Sequence, residues 1–413
     1  MAEINQRDWM YDIETYFDLF SCAITHIATG TRFIFEVSDR INQSAEFIRH
    51  IYWLRDIGAR LVGFNNIAFD YAVIHHLITI GNMHLQIWGE YSFTHTDAYN
   101  KAQDIFASQS GPDRWAHQVW PSDRIVEQVD LFKIHHFDNR ARATSLKKLE
   151  INMRSDNVID LPYSPHEPTT SEQKDKIISY MCHDVNETIM FYLFSLDQVN
   201  FRDSLKEKYP DLGDVINFND TKIGKKFFEM ELEASGTPCY SWDSGRKKPL
   251  QTEREKIHFK DILSPKAVFK IDEFKRVRQW LENEWIYGWN TKDVFGDLSA
   301  TVDGFQYDFG TGGIHGSLHK TAVYEDEEWE LWDWDVASYY PNLAITHGLF
   351  PAHLSSKFVE VYKELYETRQ QYPKGTAENA MYKLALNGVY GDSNNVYSPV
   401  SYTHLTLPTN REV

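Results

Sequence analysis

The chain has 413 residues, 42% hydrophobic and 25% charged, the balance of an ordinary globular protein of about two to three domains. Its 42 Lys and Arg stand against 60 Asp and Glu, a net charge of −18, which argues against a polyanion binder driven by bulk charge yet leaves room for a local basic channel. Three scattered cysteines without a CxxC pair suggest neither a disulfide scaffold nor a cysteine zinc site and fit a reducing compartment, and the lack of an apolar run of roughly 18 residues or of a signal-peptide pattern predicts a cytoplasmic protein with no membrane partner.

Residues 9–13, 18–27 and 32–37 alternate apolar and polar side chains, with ATGT as a turn before the third run. That predicts an antiparallel three-strand meander. QSAEFIRHIYWLRDI predicts an amphipathic helix, RLVGFN a buried strand, and 68–81 a second helix. Residues 92–125 are polar and irregular and read as an excursion loop, after which IVEQVDLF returns as a strand. Beyond the Pro-rich DLPYSPHEP, a long helix is predicted over 172–201, with Thr169 and Glu172 as a capping box. This order of elements is that of a ribonuclease H-like domain, here residues 1–207. Residues 208–300 form a connecting region of mixed pattern. WELWDWDVASYYPN, 329–342, predicts a buried aromatic strand that carries Asp333 and Asp335 and ends in a sharp turn at Ser338 and Pro341. No internal repeat or low-complexity block occurs.

The first domain has acids at telling places. YDIETY puts Asp12 and Glu14 on one face of a strand. GFNNIAFDY ends a buried strand with Asn65 and Asn66 and sets Asp70 just inside the next helix. YMCHD puts Tyr180 and Asp184 four apart on one helical face. Singly, each has a plain structural reading: a strand-end Asp is usually a cap or a solvated turn, and a lone Tyr is core packing. As a set, four carboxylates converge on one edge of one sheet if the strand order holds. Buried like charges at close range are costly, and two divalent cations would neutralise them. Two metals about 3.5–4 Å apart activate a water and stabilise the leaving oxygen of a phosphodiester. Hard oxygen ligands suit Mg²⁺ or Mn²⁺.

Asp12-Ile-Glu14, Asn65 through Phe69-Asp70, and Tyr180-x-x-x-Asp184 resemble, in order and in surrounding elements, the three exonuclease motifs of the proofreading domain of family B DNA polymerases. The resemblance implies that Asp12, Glu14, Asp70 and Asp184 hold two metal ions, that Tyr180 orients the attacking water, and that Asn65 and Phe69 contact the single-stranded 3′ end. RARATSLKKLE, 140–150, stands where such domains place basic residues near the strand. Arg142, Lys147 and Lys148 are candidates for phosphate contacts, with a solvated helix face as the equal alternative for each.

The second half resembles the polymerase core of the same family. DVASYYP is similar to motif A, DxxSLYP, which implies that Asp335 is one of two metal-binding aspartates of the palm. Ser338 and Tyr339 would then cradle the triphosphate of a dNTP, and Tyr340 would lie under the sugar and exclude a 2′-hydroxyl. KLALNGVYG resembles motif B, KxxxNSxYG, with Lys383 and Asn387 on one helix face and Gly391 near the same stripe. Arg369 is a second phosphate candidate. FGTGGIHGS resembles the YxGG-type loop, in which Gly312 and Gly313 let the backbone approach template DNA.

The departures are specific. Gly388 stands where motif B usually has Ser, Tyr339 where motif A has Leu, and Phe309 where the Gly-rich loop has Tyr. The first exonuclease motif begins almost at residue 12, so the N-terminal domain of larger relatives is not expected. Asp335 and Lys383 lie too close for the large insertion of protein-primed relatives, so a compact phage-type enzyme extending an ordinary primer is expected, working in a host cytoplasm. No motif C supplies the second palm aspartate. YGDSN, 390–394, imitates one but belongs to the end of the motif B helix, and Asp333 is more simply a solvated Asp. Residues 400–413 read as a foreign or out-of-frame tail.

The expected architecture is therefore α/β. A ribonuclease H-like exonuclease domain is followed, over 301–399, by an incomplete α+β palm and fingers region. The expected partners are primer-template DNA, a single-stranded 3′ end and dNTPs, with any processivity partner unidentified. Two alternatives remain at this point: a stand-alone metal-dependent nuclease, and a non-catalytic single-strand binder that uses aromatic stacking. The intact Tyr340, Lys383 and Asn387 speak against the first, and the four acids against the second.

Overall fold

The computed structural model describes residues 3–108, 115–139, 142–252, 256–287, 293–296, 298–310, 313–391, 398–400, 403–404 and 410–411. It is a mixed α/β protein in two units, Met1–Asn219 and Asp220–Val413. Among the described residues no helix is long and apolar enough to cross a membrane.

The first unit is built on a five-stranded mixed sheet. β1 (Asp8–Tyr16), β2 (Leu19–His26) and β3 (Arg32–Ser38) form the expected antiparallel meander. α1 (Ser44–Asp56) leads to β4 (Arg60–Gly63), which runs parallel to β1. α2 (Asp70–Trp88) and α3 (His95–Ser108) lead to β5 (Glu127–Asp130), parallel to β4. α4 (Leu131–Ile134), α5 (Leu146–Met153), α6 (Ser171–Phe194) and α7 (Leu196–Lys208) follow. The strand order is β3-β2-β1-β4-β5.

Side chains alternate across β1, and so do its cores. Trp9, Tyr11 and Ile13 pack with Phe47, Ile51 and Leu77 from α1 and α2. Met10 belongs to a second core with Val62, Val129, Met181 and Val185, beneath α6. By the same alternation Asp8, Asp12 and Glu14 belong to the α6 face. Asp8 is fully buried and accepts two bonds from Arg60, at 2.6 and 2.9 Å, and one from the Tyr192 hydroxyl at 2.6 Å. Arg60 also reaches Asp203 at 2.6 Å. These bonds replace the hydration that both charges lose on burial.

Several boundaries differ from the sequence expectation, each for a local reason. The capping box is Thr170 with Gln173, one residue on from the expected pair, because Thr169 is bonded to the Asp18 carboxylate through its N–H and hydroxyl. The helix expected over 172–201 stops at Ser195, whose hydroxyl donates to the Phe191 carbonyl at 2.7 Å, and α7 starts afresh. The expected excursion loop contains α3, whose buried stripe is Ala98, Ala102 and Ile105. Alanines carry little hydrophobic signal, so this amphipathicity is faint in sequence. The first unit also continues past 207. Asn217 donates to the Gln128 carbonyl and accepts from the Asp130 N–H, both at 2.7 Å, and so takes up polar groups of β5 that no strand pairs.

In the second unit, α8 (Asp220–Ala234) precedes a two-stranded ribbon, β6 (Tyr240–Asp243) and β7 (Arg246–Pro249). β8 (Lys256–His258), α9 (Phe259–Ile262), α10 (Asp272–Asn283) and β9 (Trp285–Tyr287) enclose a small core of Ile257, Phe259 and Ile286. β10 (Ser299–Val302), β11 (Phe305–Gly310) and β12 (Gly313–Ser317) form an antiparallel meander. α11 (Tyr339–His347), α12 (Lys357–Gln370) and α13 (Ala377–Gly391) complete the unit. α13 packs on α8 at very short range. A Cβ on Gly224 would lie 2.0 Å from the Leu384 carbonyl oxygen, and one on Gly388 3.0 Å from the Thr221 carbonyl oxygen. That contact accounts physically for glycine at 388, where the resemblance led one to expect serine.

The buried aromatic strand expected from 329 is not formed. Residues 321–336 contain no strand, and Trp329, Trp332 and Trp334 are 71%, 71% and 84% exposed. A strand forms when another backbone takes up its N–H and C=O groups. Among the described residues none lies beside this segment, since β12 pairs with β11 alone. Most of the expected tail, 400–413, lies outside the described residues; Thr403–His404 and Asn410–Arg411 pair as two short strands.

Candidate active site

The site of the first unit is built around β1, at the start of α2 and along α6. Asp12 and Glu14 are half-buried on one face of β1. Asp70 opens α2 and is buried. Asp12 and Asp70 repel each other as neighbouring carboxylates. Asp184 lies on α6, 8% exposed. Tyr180 lies one turn earlier on the same helix.

The four carboxylates feel one another. Burial first, then Asp70, Glu14 and Asp184, push Asp12 well above the usual carboxylate range. Burial, then Asp184 and Asp70, do the same to Glu14, with Lys147 opposing. Burial pushes Asp70 up to about 7. The Tyr180 phenol is raised by burial and then by Asp184. Hard oxygen donors suit a divalent cation, but among the described residues no three of these four bring carboxylate oxygens within 4.8 Å of one another, so they form an acidic edge and not a closed ligand set.

Lys147, from α5, is drawn into this group. Its ammonium is 2.6 Å from Asp184 Oδ1, 3.0 Å from Glu150 Oε1 and 4.8 Å from the Tyr180 ring centroid. Arg142 and Lys148 stay exposed, as a solvated face would.

The loop between β4 and α2 rests on a residue that the sequence reading did not single out. Asp130, fully buried at the end of β5, accepts from the N–H groups of Asn65 at 3.0 Å, Ile67 at 3.3 Å and Phe132 at 3.0 Å. Burial lifts it to about 6. Asn65 takes a left-handed conformation, φ 62°, at this turn. Beneath it, Gln128 accepts from both Tyr11 and Asn66 at 3.0 Å. Phe69 stacks on Phe106 with ring centroids 5.1 Å apart. The clue to Asp130 was the Asp that ends a strand and caps the next turn, in VDLF. Glu150 and His183 had no motif to mark them. Among the described residues, the trio able to bring a ligand atom from each within 4.8 Å of the others is Glu150, His183 and Asp184.

In the second unit the expected residues are less gathered. Asp335 is exposed in the unpaired segment, as is Asp333. Ser338 caps α11 with φ 51°, and Tyr339 opens that helix. Tyr340 stacks on Tyr390 at 3.5 Å between centroids and 15° between planes. Lys383 and Asn387 are exposed on α13, and Arg369 is half-buried on α12. Gly313 opens β12 with φ 142°, Phe309 lies in β11, and Gly391 ends α13. Gly312 lies outside the described residues.

No protein-family model matches the chain, and no curated protein matches it significantly.

Proposed function

We propose that the first unit is a ribonuclease H-like 3′→5′ exonuclease of the kind that proofreads in family B DNA polymerases, and that the second carries palm and fingers elements of the same family. The observation that bears most weight is the placement of Asp12 and Glu14 on one face of β1, Asp70 at the start of α2 and Asp184 on α6, beside one mixed sheet of order β3-β2-β1-β4-β5. Asp12, Glu14, Asp70 and Asp184 would hold two Mg²⁺ or Mn²⁺ ions. When bound, such ions lower the pKa of a water and neutralise charge on the scissile phosphate. The protein's own groups do the rest. Tyr180, one turn before Asp184 on α6, orients the attacking water. Lys147 brings positive charge to the same edge. Asn65 and Phe69 lie on the loop that a 3′ end would meet.

Support for polymerisation is thinner, because Asp335 is exposed in an unpaired segment. The exonuclease is therefore the activity proposed for this chain, with single-stranded or mispaired DNA ends as substrate. A 5′-labelled single strand incubated with Mg²⁺ should yield a ladder shortened from its 3′ end, and EDTA should stop it. Release of label from the 5′ end, or a ladder that persists in EDTA, would contradict the reading.

A further inference from the structure

Where α5 meets α6, Glu150, His183 and Asp184 each direct a ligand atom to within 4.8 Å of the other two. Glu150 is fully buried, and its Oε2 has no hydrogen-bond partner. His183 Nε2 is also buried without one, and faces that oxygen at 3.6 Å. The other oxygen of Glu150 and Asp184 Oδ1 are bridged by the Lys147 ammonium. Two carboxylates and one ammonium thus stand beside two buried polar atoms, Glu150 Oε2 and His183 Nε2, whose nearest recorded approach is to each other, just beyond hydrogen-bond length. Buried polar atoms left in this way are uncommon and point to a missing partner.

We propose that Glu150, His183 and Asp184 form a site for one transition-metal dication of the zinc class, with Lys147 as its built-in competitor. One imidazole nitrogen and two carboxylates are a ligand set that zinc-like ions accept, and the imidazole favours them over Mg²⁺. A dication there would neutralise both carboxylates, engage the two unpartnered atoms and displace the ammonium. Lys147 is 24% exposed, so its side chain can leave towards solvent. The site goes beyond the exonuclease reading. It shares Asp184 with that reading but requires neither Asp12, Glu14 nor Asp70.

Co²⁺ serves as the probe, because its visible absorption reports low-coordinate binding with a nitrogen ligand. Titration of the full chain should show a saturable band at one equivalent. Asp12→Asn should keep the band, so the result does not depend on whether the protein is a nuclease. His183→Gln should lose it, with affinity down by roughly 100-fold or more, beyond what loss of a supporting contact costs. Lys147→Gln, which removes the competing cation, should tighten binding by about tenfold; this gain of function remains readable even if the histidine variant folds poorly. A wild-type chain without the band, an unchanged band in His183→Gln, or no tightening in Lys147→Gln would each overturn the proposal.

Discussion

Lys147 Nζ lies 2.6 Å from Asp184 Oδ1, and this bond ties α5 to the helix that carries Tyr180. The same ammonium is 3.0 Å from Glu150, whose carboxylate is fully buried. One cation thus answers two acids, one of which has no access to water.

Replacing Lys147 by Met should therefore destabilise the metal-free protein. Glu150 would be left as a buried charge without its cation, at a cost of about 2–3 kcal/mol, below that of a wholly buried pair because Lys147 is partly exposed. Glu150→Gln in the same background should recover most of the loss. Denaturant unfolding in EDTA of both single variants and the double variant measures the coupling, and additive effects would refute it.

A second expectation concerns acid. His50 sits among Phe33, Phe35 and Trp53, at 4.4, 5.2 and 5.0 Å between ring centroids, and its Nε2 is buried without a hydrogen-bond partner. Burial lowers its pKa from 6.5 to about 4. Below pH 6.5 the unfolded chain takes up a proton that the folded chain refuses until about pH 4, so stability from this group is lost as pH falls through that window. The full loss is on the order of 3 kcal/mol. His50→Phe should remove this part of the acid sensitivity, as read from unfolding curves at pH 7.5 and pH 4.5. An unchanged difference between the two pH values would contradict it.

Much of the first unit was legible because its signals are local and redundant. The alternation in β1 places Asp12 and Glu14 on one face, and the four-residue spacing brings Tyr180 to Asp184, whatever surrounds them. Asp130, Glu150 and His183 were not legible, because their roles arise from chains far apart in sequence: Asp130 supports a loop that ends a different strand, and Glu150 meets His183 across two helices. The stretch from Trp329 failed for another reason. Its composition is that of a buried strand, but a strand also needs a neighbour, and composition carries no record of one.

The α8–α13 contact gives a sharp test of packing in the second unit. Gly224→Ala would set a Cβ 2.0 Å from the Leu384 carbonyl oxygen, and backbone cannot step aside as a side chain can. A loss of about 3 kcal/mol or more is expected, at the upper end for overpacking. Gly388→Ala, where the nearest atom would be 3.0 Å away, should cost less. The order of the two melting temperatures checks this; equal values would show that the helices separate freely.

This chain should not extend a primer. Phosphoryl transfer depends on positioning and on fixed charge around the transferred group. Asp335 is exposed in a segment without a strand partner, so nothing there fixes its carboxylate. Primer extension assays with all four dNTPs and Mg²⁺ should show no product. Extension that Asp335→Ala abolishes would mean that this segment assembles a working site.

The most direct test of the central claim is the rate at which a single-stranded 3′ end is shortened by the wild-type chain and by Asp12→Ala and Asp184→Ala, under single-turnover conditions with Mg²⁺. Each variant removes one carboxylate from the coupled set, and each should slow cleavage by about 10²-fold or more while keeping the far-UV circular dichroism of the parent. Either variant cleaving at the wild-type rate would contradict the account.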